Sequence, residues 1–296
     1  MMSPLLAILR WIGRQHWIPF GRDRILRLFC HPDRQRSHPF EIDFFGYRYP
    51  GDLANLIDWS VFFYGAYSYE ELFVMRDIAD GLRAQGRPVV VYDIGANIGH
   101  HTLFISRRSD RVISFEPFEA VRRKLEEKVV ANRLTNVEVY PVALGAENGS
   151  FPFYPPTGAN SGTGSLLPLS DAAPIEVPVR RGDDLVREDG LPAPTLVKID
   201  VEGSEPAALA GLRDTLTAAR PFVLMELFGP TRDRVIDEAG LRALLYPGAE
   251  LFEIRATRGR RDYRLRRFDF GRTFEFLVAP PGAVQAIAAL AARLED

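Results

Sequence analysis

The sequence predicts an α/β fold on a largely parallel sheet, and three observations carry that expectation. From about residue 88, short apolar runs alternate with stretches of helical periodicity, as crossover helices between parallel strands require. The first run, "VVVYDI" at 89–94, is largely apolar on both faces, as a strand covered on both sides must be. It stops at a carboxylate and passes into a glycine- and asparagine-bearing turn, "DIGANIG", that leads into a helix.

Strands are expected at 89–94, 112–116, 137–142, 195–200, 222–227, 251–256 and 274–279. Helices are expected at 69–85, 100–108, 118–131, 205–219, 232–245 and 282–293. In the 118–131 stretch, Val121, Leu125 and Val129 form one apolar face, and Asn132 and Asn136 bracket the return to the next strand. Residues 40–87 add short strands ("FEIDFFGYRYP") and cap the same domain. The expected organisation is a basic amphipathic segment at 1–40 and a single domain at 41–296, with its core at 88–280.

Residues 145–182 are dense in Gly, Pro, Ser and Asn. So long an irregular excursion in a compact domain is expected to be a functional lid. A short hairpin is expected within it, from "SFPFYP" and "IEVPVR". Its place after the third strand sets it near the carboxyl ends of the strands, where open α/β sheets bind ligands.

Composition excludes several function classes. With 46% hydrophobic and 26% charged residues and a net charge of −2, the 296-residue chain has a sizeable core and none of the basicity of a nucleic-acid binder. The single cysteine, Cys30, excludes an internal disulfide framework and a cysteine-built zinc site, which suits a reducing, cytoplasmic setting. No run approaches the roughly 18 apolar residues of a membrane span. "PLLAIL" meets Arg10 too soon to be a signal-peptide core.

Two arginine-rich stretches stand out. Residues 1–37 hold seven arginines against Asp23 and Asp33, with Trp11, Trp17 and Phe20 interleaved. Such a segment either rests on an anionic membrane surface or caps the domain with its aromatic side inward and its arginines in water; the second is expected. Seven more arginines lie between 255 and 267, where an exposed hairpin with a charge-protected edge is expected.

The turn after the first strand discriminates among ligands. Gly95 permits a sharp exit from the strand, Asn97 tolerates a left-handed backbone, and Gly99 lets the next helix approach the sheet. A P-loop would need GxxxxGK[ST], and a dinucleotide cradle GxGxxG; this turn is GxNxG. A nucleoside without phosphate fits better, because Asp93 repels phosphate and accepts from an ammonium. S-adenosylmethionine carries that ammonium and a sulfonium cation. Glu116, 21 residues after Gly95 and closing the next strand, is placed to accept both ribose hydroxyls. Pro117 follows at a helix start, and Pro117 and Ala143 are expected beside the same cofactor.

"VKIDVEGSEPAALAGL" repeats the layout: an apolar strand ends at Asp200, Glu202 and Gly203 turn, and Ser204, Glu205 and Pro206 open a helix. Glu226, closing "FVLMEL", points to the same edge. Asp200 and Glu202 together could ligate a divalent cation, but nothing in their spacing requires it, and no metal is expected.

The set "VYDIGANIGHHTLFISRR", "VISFEPFEAVRRKLEEKV", "NVEVYPVALG", "VKIDVEGSEPAALAGL" and "FVLMEL" resembles the FkbM-type S-adenosylmethionine-dependent methyltransferases. The resemblance runs from about Phe62 to Glu226. It implies a class I Rossmann-like fold with a seven-stranded, mostly parallel sheet and helices on both faces. It also implies methyl transfer to a hydroxyl of a sugar, glycolipid or secondary metabolite. On this resemblance Asp93, Gly95, Asn97, Gly99 and Glu116 hold the cofactor, and Asp200, Glu202 and Glu205 form the signature acidic segment. "NSGTGSLL" looks like the family's serine-containing loop, with Ser165 its functional member. Ser165, Glu205 and Glu226 are expected toward the acceptor.

A hydroxyl needs a base, and the candidates are Asp200, Glu202, His100 and His101, with Asp200 favoured. Two rival readings stay open at this level: a nicotinamide-dependent oxidoreductase, and a non-catalytic membrane-associated module on the same fold.

Overall fold

Side-chain alternation along the central strands builds two cores at once. Val91, Leu196, Leu224 and Leu277 enter one, while Tyr92, Val197, Val223 and Phe276 enter the other. Period-two patterning over strands buried on both faces requires this. The computed structural model describes residues 3–15, 21–34, 36–227, 229–235, 237–257 and 262–295. Trp17, Phe20, Arg258, Arg260 and Arg261 lie outside the described residues.

The chain opens with helices α1 (Pro4–Arg14) and α2 (Arg22–Phe29), a hairpin of β1 (Pro39–Phe44) and β2 (Tyr47–Asp52), and helices α3 (Leu56–Tyr64) and α4 (Tyr69–Ala84). The alternating part follows: β3 (Val90–Ile94), α5 (His100–Ser106), β4 (Arg111–Phe115), α6 (Glu119–Ala131) and β5 (Val137–Tyr140). Next come β6 (Ala143–Gly145), β7 (Gly149–Phe153), β8 (Ile175–Arg181) and α7 (Gly182–Glu188). The second half runs β9 (Leu196–Ile199), α8 (Glu205–Gly211), α9 (Arg213–Ala219), β10 (Phe222–Glu226), α10 (Gly229–Val235) and α11 (Glu238–Leu244). It closes with β11 (Glu250–Ala256), β12 (Tyr263–Arg267), β13 (Glu275–Ala279), α12 (Ala283–Ala286) and α13 (Ala288–Ala291).

The main sheet has the order β12-β11-β13-β10-β9-β3-β4-β5. Strands β5, β4, β3, β9 and β10 run parallel, and β13 lies antiparallel between β10 and β11. This is the expected seven-stranded sheet with one strand added. The addition is β12, from the arginine-rich stretch: it pairs antiparallel with β11, buries Tyr263 and Leu265, and leaves Arg266 and Arg267 exposed at the edge. The C-terminal residues cover part of that edge, with Leu265 N–H donating to Arg293 O at 2.8 Å and Glu295 N–H to Leu265 O at 2.8 Å.

Three long helices expected from the sequence are each two short ones. The 205–219 stretch breaks at Leu212, which caps both α8 and α9, and 282–293 breaks at Ile287. The 232–245 stretch is α10 and α11, with Asp237 capping the second by accepting from Gly240 N–H at 2.8 Å. The 137–142 strand ends at Tyr140, and the chain passes at once into β6, which joins β7 and β8 in a separate three-stranded sheet. The β7–β8 pair is an antiparallel hairpin formed by the two segments expected to make one.

The N-terminal elements pack on the carboxyl side of this scaffold around Trp59, Phe62 and Phe63, joined by Leu9, Leu26 and Cys30.

Candidate active site

The ends of β3 and β9 meet in a way only glycine allows. Gly95 has φ +80, and a Cβ there would lie 1.9 Å from the carbonyl oxygen of Asp200. With that contact open, the Gly95 and Ala96 amides donate to Phe115 O at 3.0 and 3.1 Å. Asn97 follows at φ 50, its Oδ1 accepting from Ile98 N–H at 2.8 Å. Gly99, φ +81, lets α5 start against α6; a Cβ there would meet Leu125 Cδ1 at 2.4 Å. Asp93 lies buried beneath the turn, Oδ2 accepting from Thr102 Oγ at 2.6 Å. Its Oδ1 is buried with no hydrogen-bond partner.

Above the turn opens a cavity with an empty volume of about 620 Å³. Phe115, Phe118, Val121, Leu144 and Phe153 give it apolar walls, and Asn97, Glu116 and Asp200 a polar side. Pro117 and Ala143 line it as expected. Glu116 is buried at the end of β4, with Oε2 accepting from Asn97 N–H at 2.9 Å and Oε1 from Phe118 N–H at 2.8 Å. Each oxygen keeps a lone pair for a further donor. Burial pushes this carboxyl up to about 7, against the pull of its two backbone donors.

Part of the 145–182 excursion covers the cavity through Ser161, Gly162, Gly164, Ser165 and Leu166. Ser161 Oγ donates to Asn97 Oδ1 at 2.9 Å and accepts from Asn55 Nδ2 at 2.7 Å, so cover, cofactor turn and N-terminal cap share one hydrogen-bond chain. Ser165 Oγ donates to Glu202 O at 2.7 Å and accepts from Leu167 N–H at 3.0 Å. Ser165, singled out by sequence, therefore fastens the cover to the second acidic turn.

That second turn ends β9, which places Lys198 and Asp200 on one face two residues apart. Lys198 Nζ donates to Asp200 Oδ2 at 2.9 Å. Burial works against the ammonium, yet Asp200, Glu71 and Asp93 raise its pKa and keep it charged. Sheet register puts Asp93 beside Lys198 and pairs Glu226 with Glu275. Burial likewise opposes ionisation of Glu71, but Lys198 and His101 hold it down at about 2. Glu226 is pushed up to about 9 by burial and then by Asp200 and Glu71. Glu275 is pushed well above the usual range by burial and then by Glu71 and Glu70. Among the described residues, Glu71, Glu226 and Glu275 offer carboxylate oxygens within 4.8 Å of one another and could share a cation. The Asp200–Glu202 pair considered from sequence is not part of that group.

Several expected site residues stand elsewhere. His100 does not line the cavity: its buried ring packs on Phe44, and Nε2 accepts from Tyr67 N–H at 3.3 Å. Burial, then His101, drives its pKa well below the ordinary value. Glu205 is buried within its own turn, accepting from Val201 N–H at 3.0 Å, Gly203 N–H at 2.9 Å and Thr231 Oγ. It fixes the Val201–Gly203 backbone and offers nothing to an acceptor. Glu202, at φ 51, lies outside the cavity lining, with its carboxyl raised to about 7 by burial and by Asp200. Glu226 also lies outside that lining, beside Glu71 and Glu275. Sequence reasoning missed Ser161 and Asn55, the aromatic walls Phe118 and Phe153, and Glu71. Ser161 sat in the serine-containing loop beside the chosen Ser165, whereas Glu71 carries no local signal.

Comparison with known proteins gives the chain a family. Residues 93–265 match the family model described as the methyltransferase FkbM domain. A hexuronic acid methyltransferase of Haloferax volcanii is 30% identical over 169 residues, covering 54% of this chain and 67% of that protein. The 2-O-methyltransferase NoeI of Sinorhizobium fredii is 30% identical over 154 residues, covering 46% of this chain and 62% of its own length. Among solved structures, methyltransferase FkbM from Methylobacillus flagellatus aligns at a TM-score of 0.44 and 19% identity, over 64% of this chain and 43% of that one. The family match sets aside the nicotinamide reading.

Proposed function

The chain belongs to the FkbM methyltransferase family, and from that premise we propose that it transfers a methyl group from S-adenosylmethionine to a hydroxyl oxygen of a sugar or secondary metabolite. One observation carries the reading: a cavity with Glu116 on its wall and no lysine or arginine in its lining opens directly onto Asp200.

The residues fit the cofactor. Glu116 would accept the ribose hydroxyls with its remaining lone pairs, and Phe118, Val121 and Leu144 would flank the adenine. Asp93, expected to meet the ammonium, is sealed beneath the turn beside Lys198 and outside the cavity lining, so it would shape the floor without touching the cofactor. S-adenosylmethionine supplies an already activated methyl group. The chain's work is to align the acceptor oxygen, which contributes ~7–11 kcal/mol when geometry is good, and to take its proton. Asp200 is the base: of the candidates, only it lines the cavity. Lys198, buried beside it, holds the carboxylate in place. With the cofactor bound, the aligned acceptor oxygen would receive the methyl group from the sulfonium, and Asp200 would take the hydroxyl proton.

One relative is named for hexuronic acid and another for 2-O-methylation, so the first acceptors to test are uronic acids and methyl glycosides. Incubation with S-adenosylmethionine should add the mass of one methyl group to such an acceptor and release S-adenosylhomocysteine. Cofactor binding with no methylated product across sugars, glycolipids and polyketides would overturn the assignment of acceptor class; no binding at all would overturn the cavity's role.

A further inference from the structure

The N-terminal helices wear their amphipathic pattern inside out. α1 packs on α3 through Leu9 and Gly13, where a Cβ would lie 2.5 Å from Phe63 O. Its arginines face that contact: Arg10 Nε donates to Phe62 O at 3.2 Å and Arg14 Nη2 to Val61 O at 3.3 Å. The guanidinium of Arg22 lies over Tyr64 at 4.9 Å, and that of Arg27 over Trp59 at 5.4 Å. Outward, Leu5, Ile8 and Trp11 repeat every third residue along α1, with Trp11 60% exposed. On α2, Ile25, Leu28 and Phe29 do the same, with Leu28 77% exposed. Six of the eleven large apolar side chains left exposed among the described residues lie in this short stretch, a concentration that marks an interaction surface rather than scatter.

We propose that this face of α1 and α2 docks on the surface of an anionic lipid bilayer. Among the described residues no helix is long and apolar enough to cross a membrane, but an aliphatic and tryptophan face beside arginines is what an interfacial helix presents. Charge selects the bilayer as occupant. In this stretch the exposed cations Arg24, Arg34 and Arg36 outnumber the acids: Asp23 pairs with Arg27 at 2.8 Å, and only Asp33, which accepts from Ala159 N–H at 3.1 Å, keeps an exposed charge unpaired with an arginine. A second copy of the patch would bring like charges together in a two-fold contact, while phosphatidylglycerol or phosphatidylserine headgroups attract them. The Asp33–Ala159 bond also ties the docking lobe to the loop that covers the cavity.

The test is sedimentation of the full chain with phosphatidylglycerol vesicles, phosphatidylcholine vesicles and none. Wild type should pellet with the anionic vesicles. The triple variant Ile8→Ser, Trp11→Ser, Leu28→Ser should lose at least about tenfold in partitioning, because the inserted apolar area is gone. Arg24→Gln, Arg34→Gln, Arg36→Gln should weaken binding to anionic vesicles only. All six residues are exposed or nearly so, so melting temperatures should be unchanged. Equal pelleting of wild type and the apolar triple would overturn the proposal. So would a dimer, by light scattering, that dissociates in the apolar triple while wild type ignores vesicles.

Discussion

Two turns built on one plan do different work. DIGANIG after β3 and KIDVEGSE after β9 both end a buried parallel strand in an acid, pass a glycine and a non-glycine residue at positive φ, and start a helix. In the first, the acid is sealed under the turn and glycine makes the room: Asp93 is 1% exposed, and Gly95 presses on the Asp200 carbonyl. In the second, the terminal acid Asp200 stays half-exposed at the cavity, and a different acid, Glu205, is sealed in to hold the turn. The first is a floor and the second a tool. A carboxylate's role here follows from its depth below the sheet edge rather than from the motif that contains it.

Substitutions can break that contrast, and the largest effect should come from Gly95→Val. Its side chain has no room against the Asp200 carbonyl and its φ is unfavourable, so cofactor binding by calorimetry should vanish; undiminished affinity would place the cofactor elsewhere. Asp200→Asn should leave cofactor affinity intact and lower turnover by about 10²–10⁴-fold, the contribution of a positioned base. Equal turnover on the methylated acceptor would return the role to Glu202.

Glu116 sharpens the comparison through pH. Its carboxyl sits near 7 in the folded protein, above its ordinary 4.5. Its stability contribution is therefore present below the unfolded value and is lost as pH rises through about 7. Cofactor binding has the opposite sense if the ionised form accepts the ribose hydroxyls. Affinity should fall by up to about tenfold per pH unit below the folded value. Glu116→Gln should flatten that profile and lower affinity throughout. The smallest effect is expected of Ser161→Ala, which cuts the chain from Asn55 to Asn97. Losing such hydrogen bonds at a partly open site costs ~0.5–1.5 kcal/mol, so KM for the cofactor should rise several-fold with kcat little changed.

Much of this architecture was legible in the residues. Strands buried on both faces leave continuous apolar runs, so all seven expected strands lie within a residue or two of their predicted places. Positive φ at Gly95, Asn97 and Gly99 follows from residue type. Helix continuity was not legible: nothing in the apolar pattern of 205–219 announces the break at Leu212, which packing imposes. The eighth strand was legible only as one arm of the arginine-rich hairpin expected at 255–267; that it extends the main sheet follows from β11 pairing with β13.

The sequence by itself determined which strands form, which turns take left-handed backbone and which two segments carry the acids, because those depend on local sterics and on period. Only the tertiary structure decided which acids are tools. Sheet register brings Lys198, Glu226 and Glu275 onto one face from three strands, and α4 sets Glu71 against them. Burial, a property of the assembled layers, then separates Asp200 from Glu205 and His100. It likewise turned α1 arginine-side inward, because the carbonyls and rings of α3 hold guanidinium groups better than they hold another apolar row.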